Sequence, residues 1–93
     1  MLKHNNYFEG QVQSIGFERN GRQQTAGVID VGEFHFNTNG AERMTVVTGE
    51  LRVRLTGATE WHTYPAGTAF EVAAQSGFDV RAEHPAACWC EFL

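Results

Sequence analysis

The chain has 93 residues, of which 42% are hydrophobic and 19% are charged, and its formal net charge is −4 at pH 7. This length supports one hydrophobic core, so we predict a single domain over residues 1–93. An acidic chain lacks the basic face that nucleic-acid polymers require, although a local arginine cluster is compatible with a small anionic substrate. No apolar run reaches the ~20 residues of a membrane span, and the polar segment from Met1 to Asn6 differs from a signal peptide. We therefore expect a cytoplasmic protein with no membrane partner.

Short strands separated by glycine, asparagine or proline follow one another along the chain, and no segment has a convincing helical period. Asn20-Gly21 predicts a tight hairpin after the first strand. The clearest alternation sets Leu51, Val53 and Leu55 against two arginines. The predicted strands cover residues 11–17, 24–31, 33–38, 42–48, 50–55, 60–64, 68–74, 78–83 and 87–93. Nine short strands predict an all-β sandwich or small barrel.

Two cysteines, Cys88 and Cys90, lie two positions apart in the last predicted strand. So short a loop disfavours a disulfide between them. A metal site would need further cysteine or histidine partners that the sequence does not provide. We predict that both are reduced packing residues.

Two segments together indicate the fold. The first, Glu42-Arg43-Met44-Thr45-Val46-Val47-Thr48-Gly49, resembles the second half of the first cupin motif, in which a glutamate precedes a glycine by seven positions. The second, Pro65-Ala66-Gly67, precedes an apolar strand and resembles the Pro-x-Gly core of the second cupin motif. Their order and spacing also fit, so the resemblance implies a single-domain, cupin-like β-barrel of the jelly-roll type.

Metal-binding cupins carry three histidines and a glutamate at fixed places in these motifs. The corresponding residues here are His35, Asn37, Glu42 and Phe70. Two of the histidines are replaced, and His35 with Glu42 alone would hold a transition metal weakly, since such sites normally need three or four protein ligands. We therefore expect no bound metal and no cofactor. The remaining histidines are expected at the surface: His4, His62 and His84.

Four segments in order also resemble the pyrimidine/purine nucleoside phosphorylase family, a group of short single-domain cupins. They are Tyr7-Phe8-Glu9-Gly10, Ser14-Ile15-Gly16-Phe17, the segment from Glu42 to Gly49, and Ala66-Gly67-Thr68-Ala69-Phe70-Glu71-Val72. The resemblance covers residues 1–93. It implies metal-independent cleavage of purine and pyrimidine nucleosides by inorganic phosphate, which yields the free base and α-D-ribose 1-phosphate. It also implies a homodimer.

The cupin register places alternate residues of three strands toward the interior. It predicts a pocket formed by His35, Asn37, Glu42 and Phe70, with Glu33, Met44, Val46, Thr68 and Val72 on the same inner faces. Glu42 is the first candidate for binding ribose hydroxyls or a base N–H, and burial would suit it to general-acid catalysis. A structural glutamate bonded near the turn is an equal alternative.

For Asn37 we weigh a sugar or base contact against a turn role, and for His35 a catalytic role against a place in the pocket wall. Phosphate binding calls for arginines, hydroxyls or backbone N–H groups. Arg81 is the first candidate if Phe78 packs outward, and Arg43 and Thr38 are weaker ones. Arg52 and Arg54 form a two-residue basic stripe that is expected to be solvated.

Aromatic side chains are the remaining candidates for contacts with a nucleoside. Phe70 has a geometric reason to stack on a base, and Tyr7 and Tyr64 are additional candidates. Three other hypotheses stay open at this point. They are a non-catalytic cupin that binds a sugar or nucleoside, a metal-dependent cupin enzyme, and an interaction protein with a vestigial pocket.

Overall fold

In the computed structural model, which describes all of residues 1–93, the chain forms ten strands and one short 3-10 turn at Phe8–Gly10. The strands are β1 (Lys3–Tyr7), β2 (Val12–Arg19), β3 (Arg22–Ile29), β4 (Gly32–Asn37), β5 (Glu42–Thr48), β6 (Glu50–Leu55), β7 (His62–Pro65), β8 (Ala69–Val72), β9 (Gly77–Ala82) and β10 (Ala86–Phe92). The 3-10 turn is the sole helical element, and a segment of three residues is far too short to cross a membrane.

The strands form two antiparallel sheets. The large sheet has the order β1-β2-β3-β10-β5-β8, and the small sheet has the order β4-β9-β6-β7. The all-β prediction is confirmed. The two sheets face each other without a ladder between them, so the prediction of a closed barrel is not confirmed.

The β2–β3 hairpin shows how the local sequence determines the fold. Asn20 and Gly21 both have positive φ, +55° and +73°, which is the backbone that a two-residue primed turn requires. This turn sets the register in which Val12 pairs with Ile29 and Arg19 with Arg22. The predicted hairpin is confirmed.

The core lies between the inner faces of the two sheets. Its largest fully buried side chains include Phe78, Ile29, Leu51, Val53 and Val80, all at most 2% exposed. Phe78 stacks on Phe36 with ring centroids 5.6 Å apart and meets Phe70 edge-on at 5.7 Å. Aromatic contacts of this kind contribute beyond the area that they bury.

The strand β1 was not predicted, because its residues are polar and do not alternate. Four of its five residues are exposed. Its ladder to β2 is supplemented by hydrogen bonds from Asn5 to Ser14, at 3.3 Å, and between His4 and Gln13, at 3.0 Å. A strand that is held by pairing and not by burial leaves no hydrophobic pattern in the sequence.

On β4 and β9 the predicted facing is wrong. Phe34 is buried while Glu33 and His35 are exposed, so the aromatic residues of β4 face the core. Phe78 is likewise buried, which places Arg81 on the outer face of the small sheet. The cause is the two-residue period of a strand, by which a slip of one position exchanges the faces.

Candidate active site

A pocket of about 190 Å³ opens on the inner face of the large sheet, and we call it the interior pocket. Most of its lining comes from the large sheet, while β4 and β9 contribute Phe36, Asn37 and Phe78. Its apolar wall includes Val12, Ile29, Met44 and Phe92. A mostly apolar concave surface with few polar groups is typical of a small-molecule site.

The hydroxyls of Ser14 and Thr25 provide polar groups in this pocket, on the neighbouring strands β2 and β3. The Asn5 amide donates to Ser14 Oγ at 3.3 Å, which leaves the Ser14 O–H proton available to a ligand. Gly27 is the ladder partner of Ser14 and lies two positions from Thr25 on β3, and a Cβ added there would come within 2.6 Å of the Gln13 carbonyl oxygen. Sequence reasoning missed Thr25 and did not assign Ser14 a role, although Ser14 belongs to one of the family-like segments.

Glu42 borders the interior pocket through two of its lining residues. The thiol of Cys90 donates to Glu42 Oε1 at 3.3 Å, and Phe92 is the partner of Glu42 in the β5–β10 ladder. Burial raises the pKa of the Glu42 carboxyl above its ordinary value of 4.5, and the hydrogen bond from Cys90 opposes this in part. The prediction that Glu42 faces inward and is partly desolvated is consistent with this geometry.

The two cysteines are free and buried on the inner face of β10. Desolvation raises the pKa of the Cys88 thiol to about 11, and it raises the pKa of Cys90 further, with the Glu42 carboxylate as a second cause. Both thiols are therefore protonated near neutral pH. The prediction that they are unpaired packing residues is confirmed.

We expect these thiols to resist alkylation in the folded protein. At pH 8 a thiol whose pKa is raised from 9.0 to about 11 has roughly 100-fold less thiolate, and burial slows the reaction further. Mass spectrometry after iodoacetamide treatment should show slow labelling of the native chain and rapid labelling in guanidinium chloride. Equal labelling rates under the two conditions would contradict the buried placement of Cys88 and Cys90.

The outer face of the small sheet carries a second polar cluster, which we call the outer network. Arg54 donates from Nε and Nη2 to Asp79 Oδ2 at 3.2 and 3.0 Å, and Arg81 donates from Nε and Nη2 to Glu33 Oε1 at 3.1 and 2.9 Å. Both guanidinium groups lie over the ring of Trp61, 4.8 and 4.3 Å from its centroid. Cation–π contact and ion pairing together fix the two arginines.

His35 and Asn37 join this network. His35 Nδ1 is 2.8 Å from Asp79 Oδ1, and His35 Nε2 is 2.9 Å from Asn37 Oδ1. The hydrogen bond to Asp79, and then the one to Asn37, raise the pKa of the imidazole above 6.5. The bond from His35, followed by that from Arg54, lowers the pKa of Asp79. Asn37 is also among the residues that line the interior pocket, while its amide oxygen is bonded to His35 on the outer face.

The three predicted phosphate ligands do not come together at the interior pocket. Arg81 is held by Glu33 on the outer face, and Arg43 lies within 3.7 Å of both Glu71 and Glu91. Thr38 is buried and bridges two loops, donating to the Ala73 carbonyl and accepting from the Ser76 N–H.

Two of the predicted aromatic contacts belong to the core. Phe70 is 6% exposed and packs on Tyr64 with ring centroids 4.8 Å apart, and neither residue lines the interior pocket. Tyr7 does line the pocket, where it meets Phe36 edge-on at 6.0 Å. Of the predicted binding residues, the structure therefore places Tyr7 and Asn37 at the pocket and Glu42 beside it.

The four cupin ligand positions do not converge on one point. His35 lies on the outer face, Glu42 on the inner face, and Phe70 in the core. No group of three or more histidine, cysteine, aspartate or glutamate residues is arranged to hold a metal ion. These residues do not fit the metal centre of a metal-binding cupin.

Comparison with solved structures shows which fold this architecture resembles. A cupin of the RmlC-like type from Shewanella frigidimarina superposes with a TM-score of 0.77 over 99% of this chain and 83% of that one, at 17% identity. A protein of unknown function from Vibrio parahaemolyticus superposes with a TM-score of 0.98 over 100% and 99% of the two chains, at 41% identity. The fold is therefore cupin-like.

Sequence comparison gives the family. The family model for pyrimidine/purine nucleoside phosphorylase matches residues 2–92. Proteins named pyrimidine/purine nucleoside phosphorylase are 70% identical in Sorangium cellulosum, over the full length of both chains, and 52% identical in Aeromonas salmonicida, over 100% of this chain and 99% of that one. The chain belongs to the pyrimidine/purine nucleoside phosphorylase family, which confirms the resemblance and places it among enzymes.

Proposed function

We propose that this chain cleaves purine and pyrimidine nucleosides with inorganic phosphate, without a metal ion, to give the free base and α-D-ribose 1-phosphate. The family match over nearly the whole chain is the observation that carries the proposal. In the reaction, the bond from C1′ to the base nitrogen breaks and a bond from C1′ to a phosphate oxygen forms. The base leaves with the electron pair of the broken bond and takes up a proton.

The interior pocket is the proposed reaction site. Its volume of about 190 Å³ is below the ~300 Å³ at which sites for drug-sized ligands begin, so we expect part of the substrate to extend to the open side. The hydroxyls of Ser14 and Thr25 are the proposed donors to phosphate or ribose. Tyr7, at the same pocket, is the proposed ring contact to the base.

Glu42 is the proposed catalytic residue. In the transition state C1′ gains positive charge and the base gains negative charge, so the enzyme must stabilise both. A carboxylate accepts hydrogen bonds from ribose hydroxyls, and the protonated acid donates to the leaving base. Partial burial favours the protonated form, which suits the second role and also removes a negative charge from the neighbourhood of phosphate.

Incubation of the purified protein with uridine or adenosine, with and without phosphate, tests the activity. We expect ribose 1-phosphate and free base only when phosphate is present, and no loss of rate on dialysis against a chelator. Binding of nucleosides without phosphate-dependent product would instead support a non-catalytic binding module. Activity that is lost to the chelator and restored by a transition metal would contradict the metal-free reaction.

The proposal includes a homodimer, which the family resemblance implies. Ile15, Val47 and Trp89 are between 36% and 60% exposed on the outer face of the large sheet, and they give apolar surface that a second copy would cover. Light scattering during size-exclusion chromatography should give twice the mass of one chain. A single-chain mass at micromolar concentration would contradict this part of the proposal.

A further inference from the structure

The 3-10 turn between β1 and β2 has a left-handed backbone. Phe8, Glu9 and Gly10 have φ values of +53°, +57° and +92°. Glycine adopts such values readily, whereas residues with a side chain do so at a cost, and Phe8 carries a bulky ring. Backbone strain of this kind persists where the surrounding structure fixes it, and it is concentrated at functional sites. The turn directly follows Tyr7, which lines the interior pocket.

The left-handed turn changes the direction of one side chain. Adjacent residues of a strand point to opposite faces, so an extended backbone would separate the rings of Tyr7 and Phe8. Here both rings meet Phe36 edge-on, Tyr7 with ring centroids 6.0 Å apart and Phe8 at 5.5 Å. Phe8 also packs on Phe34 at 5.0 Å. The strained backbone therefore lets two neighbouring rings lie against one partner ring.

Hydrogen bonds to two carbonyl groups also hold the turn in place. The Gln11 N–H donates to the Phe8 carbonyl oxygen at 3.2 Å, and Gln13 Nε2 donates to the Gly10 carbonyl oxygen at 2.9 Å. Even so, the rings of Tyr7 and Phe8 are 45% and 43% exposed. A fixed aromatic ring with free surface, in the wall of an apolar pocket, is suited to a flat ligand.

We propose that the left-handed turn is a positioning element, anchored by Phe8, that fixes Tyr7 before the substrate arrives in the orientation that contacts the nucleoside base. Because the ring is already ordered, less conformational entropy is lost when the base binds. Phe8 acts through Tyr7 and Phe36, since its own ring does not line the interior pocket. Every base has a flat face, so purines and pyrimidines should be affected alike. This inference rests on the proposed function, and it extends that function to the residues that set nucleoside affinity.

The first test changes only the backbone of the turn. In Gly10→Ala the added Cβ meets no atom closer than Gln13 Nε2 at 3.5 Å, so the penalty is conformational. Gly57→Ala is the matched control, because Gly57 has a φ of +89°, no atom within 4 Å of an added Cβ and no place in the pocket lining. Both variants should lose similar stability in urea denaturation. Only Gly10→Ala should raise the Kd for uridine and adenosine, by about tenfold, which is the order that one lost base–ring contact costs.

A double-mutant cycle tests whether Phe8 acts through Tyr7. We expect Phe8→Ala to raise the KM for uridine by about tenfold and to leave the KM for phosphate unchanged. In a Tyr7→Ala background the same change should have almost no further effect, because the ring that Phe8 positions is gone. Phe8→Tyr retains an aromatic ring and should keep the native KM. A residue that only stabilised the fold would have the same effect in both backgrounds.

Unchanged nucleoside affinity in Gly10→Ala, or a full effect of Phe8→Ala in the absence of the Tyr7 ring, would overturn the inference. Calorimetry without phosphate measures nucleoside affinity independently of turnover. The expected changes in Kd without any formation of ribose 1-phosphate would support the role of the turn and contradict the proposed function. Phosphorolysis with the native KM in every variant of the turn would support the function and contradict the role of the turn. Absence of nucleoside binding by the native chain would overturn both.

Discussion

Replacement of Glu42 by glutamine is expected to lower kcat/KM for phosphorolysis by about 100-fold or more. Glutamine keeps the size of the side chain and accepts a hydrogen bond from Cys90, but it neither supplies a proton nor carries charge. Loss of a general acid or of one transition-state contact typically costs a factor of this order. The measurement is the initial rate with uridine at saturating phosphate. Glu71→Gln, on the exposed face of the paired strand β8, is the matched control and should retain full activity.

The same variant should alter the pH dependence of stability. The pKa of Glu42 is raised in the folded state, so the folded chain binds more protons than the unfolded chain above pH 4.5. The native sequence therefore loses stability as pH rises from 4.5 through the folded-state pKa, and Glu42→Gln lacks this loss. Urea denaturation at several pH values measures the difference. If Glu42→Gln were fully active, and if stability fell equally in both proteins, Glu42 would be a peripheral residue.

Replacement of Phe78 by alanine is expected to remove about 3–5 kcal/mol from the free energy of unfolding. The ring is 2% exposed and contacts both Phe36 and Phe70, so its removal leaves a cavity at the centre of the aromatic cluster. The total free energy of unfolding of a small domain is only about 5–15 kcal/mol. The measurement is the midpoint of urea denaturation. It reports stability when the slope of the free energy of unfolding against urea concentration is the same in both proteins.

Leu55→Ala is a control in the same sheet, because Leu55 is paired with Phe78 across β6 and β9 but is 41% exposed. We expect Leu55→Ala to lower the free energy of unfolding clearly less than Phe78→Ala does. Phe78→Leu, which retains much of the volume, should fall between the two. Equal losses for Phe78→Ala and Leu55→Ala would show that Phe78 is not a central core residue.

Sequence patterns predicted the strands that bury one face and expose the other. β6 was predicted with its observed bounds, because Leu51 and Val53 are buried while Arg52 and Arg54 lie on the opposite face. The hairpin at Asn20-Gly21 was predicted because only a few residues adopt positive φ readily. β1 has neither signal, since pairing to β2 and side-chain hydrogen bonds hold it.

The candidate site was predicted less completely. Glu42 faces inward as its motif indicates, and Tyr7 and Asn37 line the interior pocket. On β4, the motif comparison placed His35 inside, whereas the alternation of Phe34 and Phe36 indicates the opposite face, and the hydrophobic pattern determines the structure. The predicted inward position of Arg81 on β9 was wrong for the same reason, because Phe78 faces the core and Arg81 lies on the opposite face. Ser14 and Thr25 come together only through the β2–β3 register, which spans two strands and leaves no motif.

The unequal size of the two sheets has a consequence for which substitutions this protein can accept during evolution. Six strands face four, and Ser14 and Thr25 lie on β2 and β3, which belong to the larger sheet. Leu51, Val53 and Val80 of the small sheet are deeply buried and do not line the interior pocket, whereas the similarly buried Phe78 and Ile29 belong to both the core and the pocket wall. Substitutions at the two hydroxyl positions are therefore expected to change the polar lining of the pocket with little effect on the packing of the core. At these two positions selection can change the pocket while preserving the core, whereas a substitution at Phe78 or Ile29 changes both.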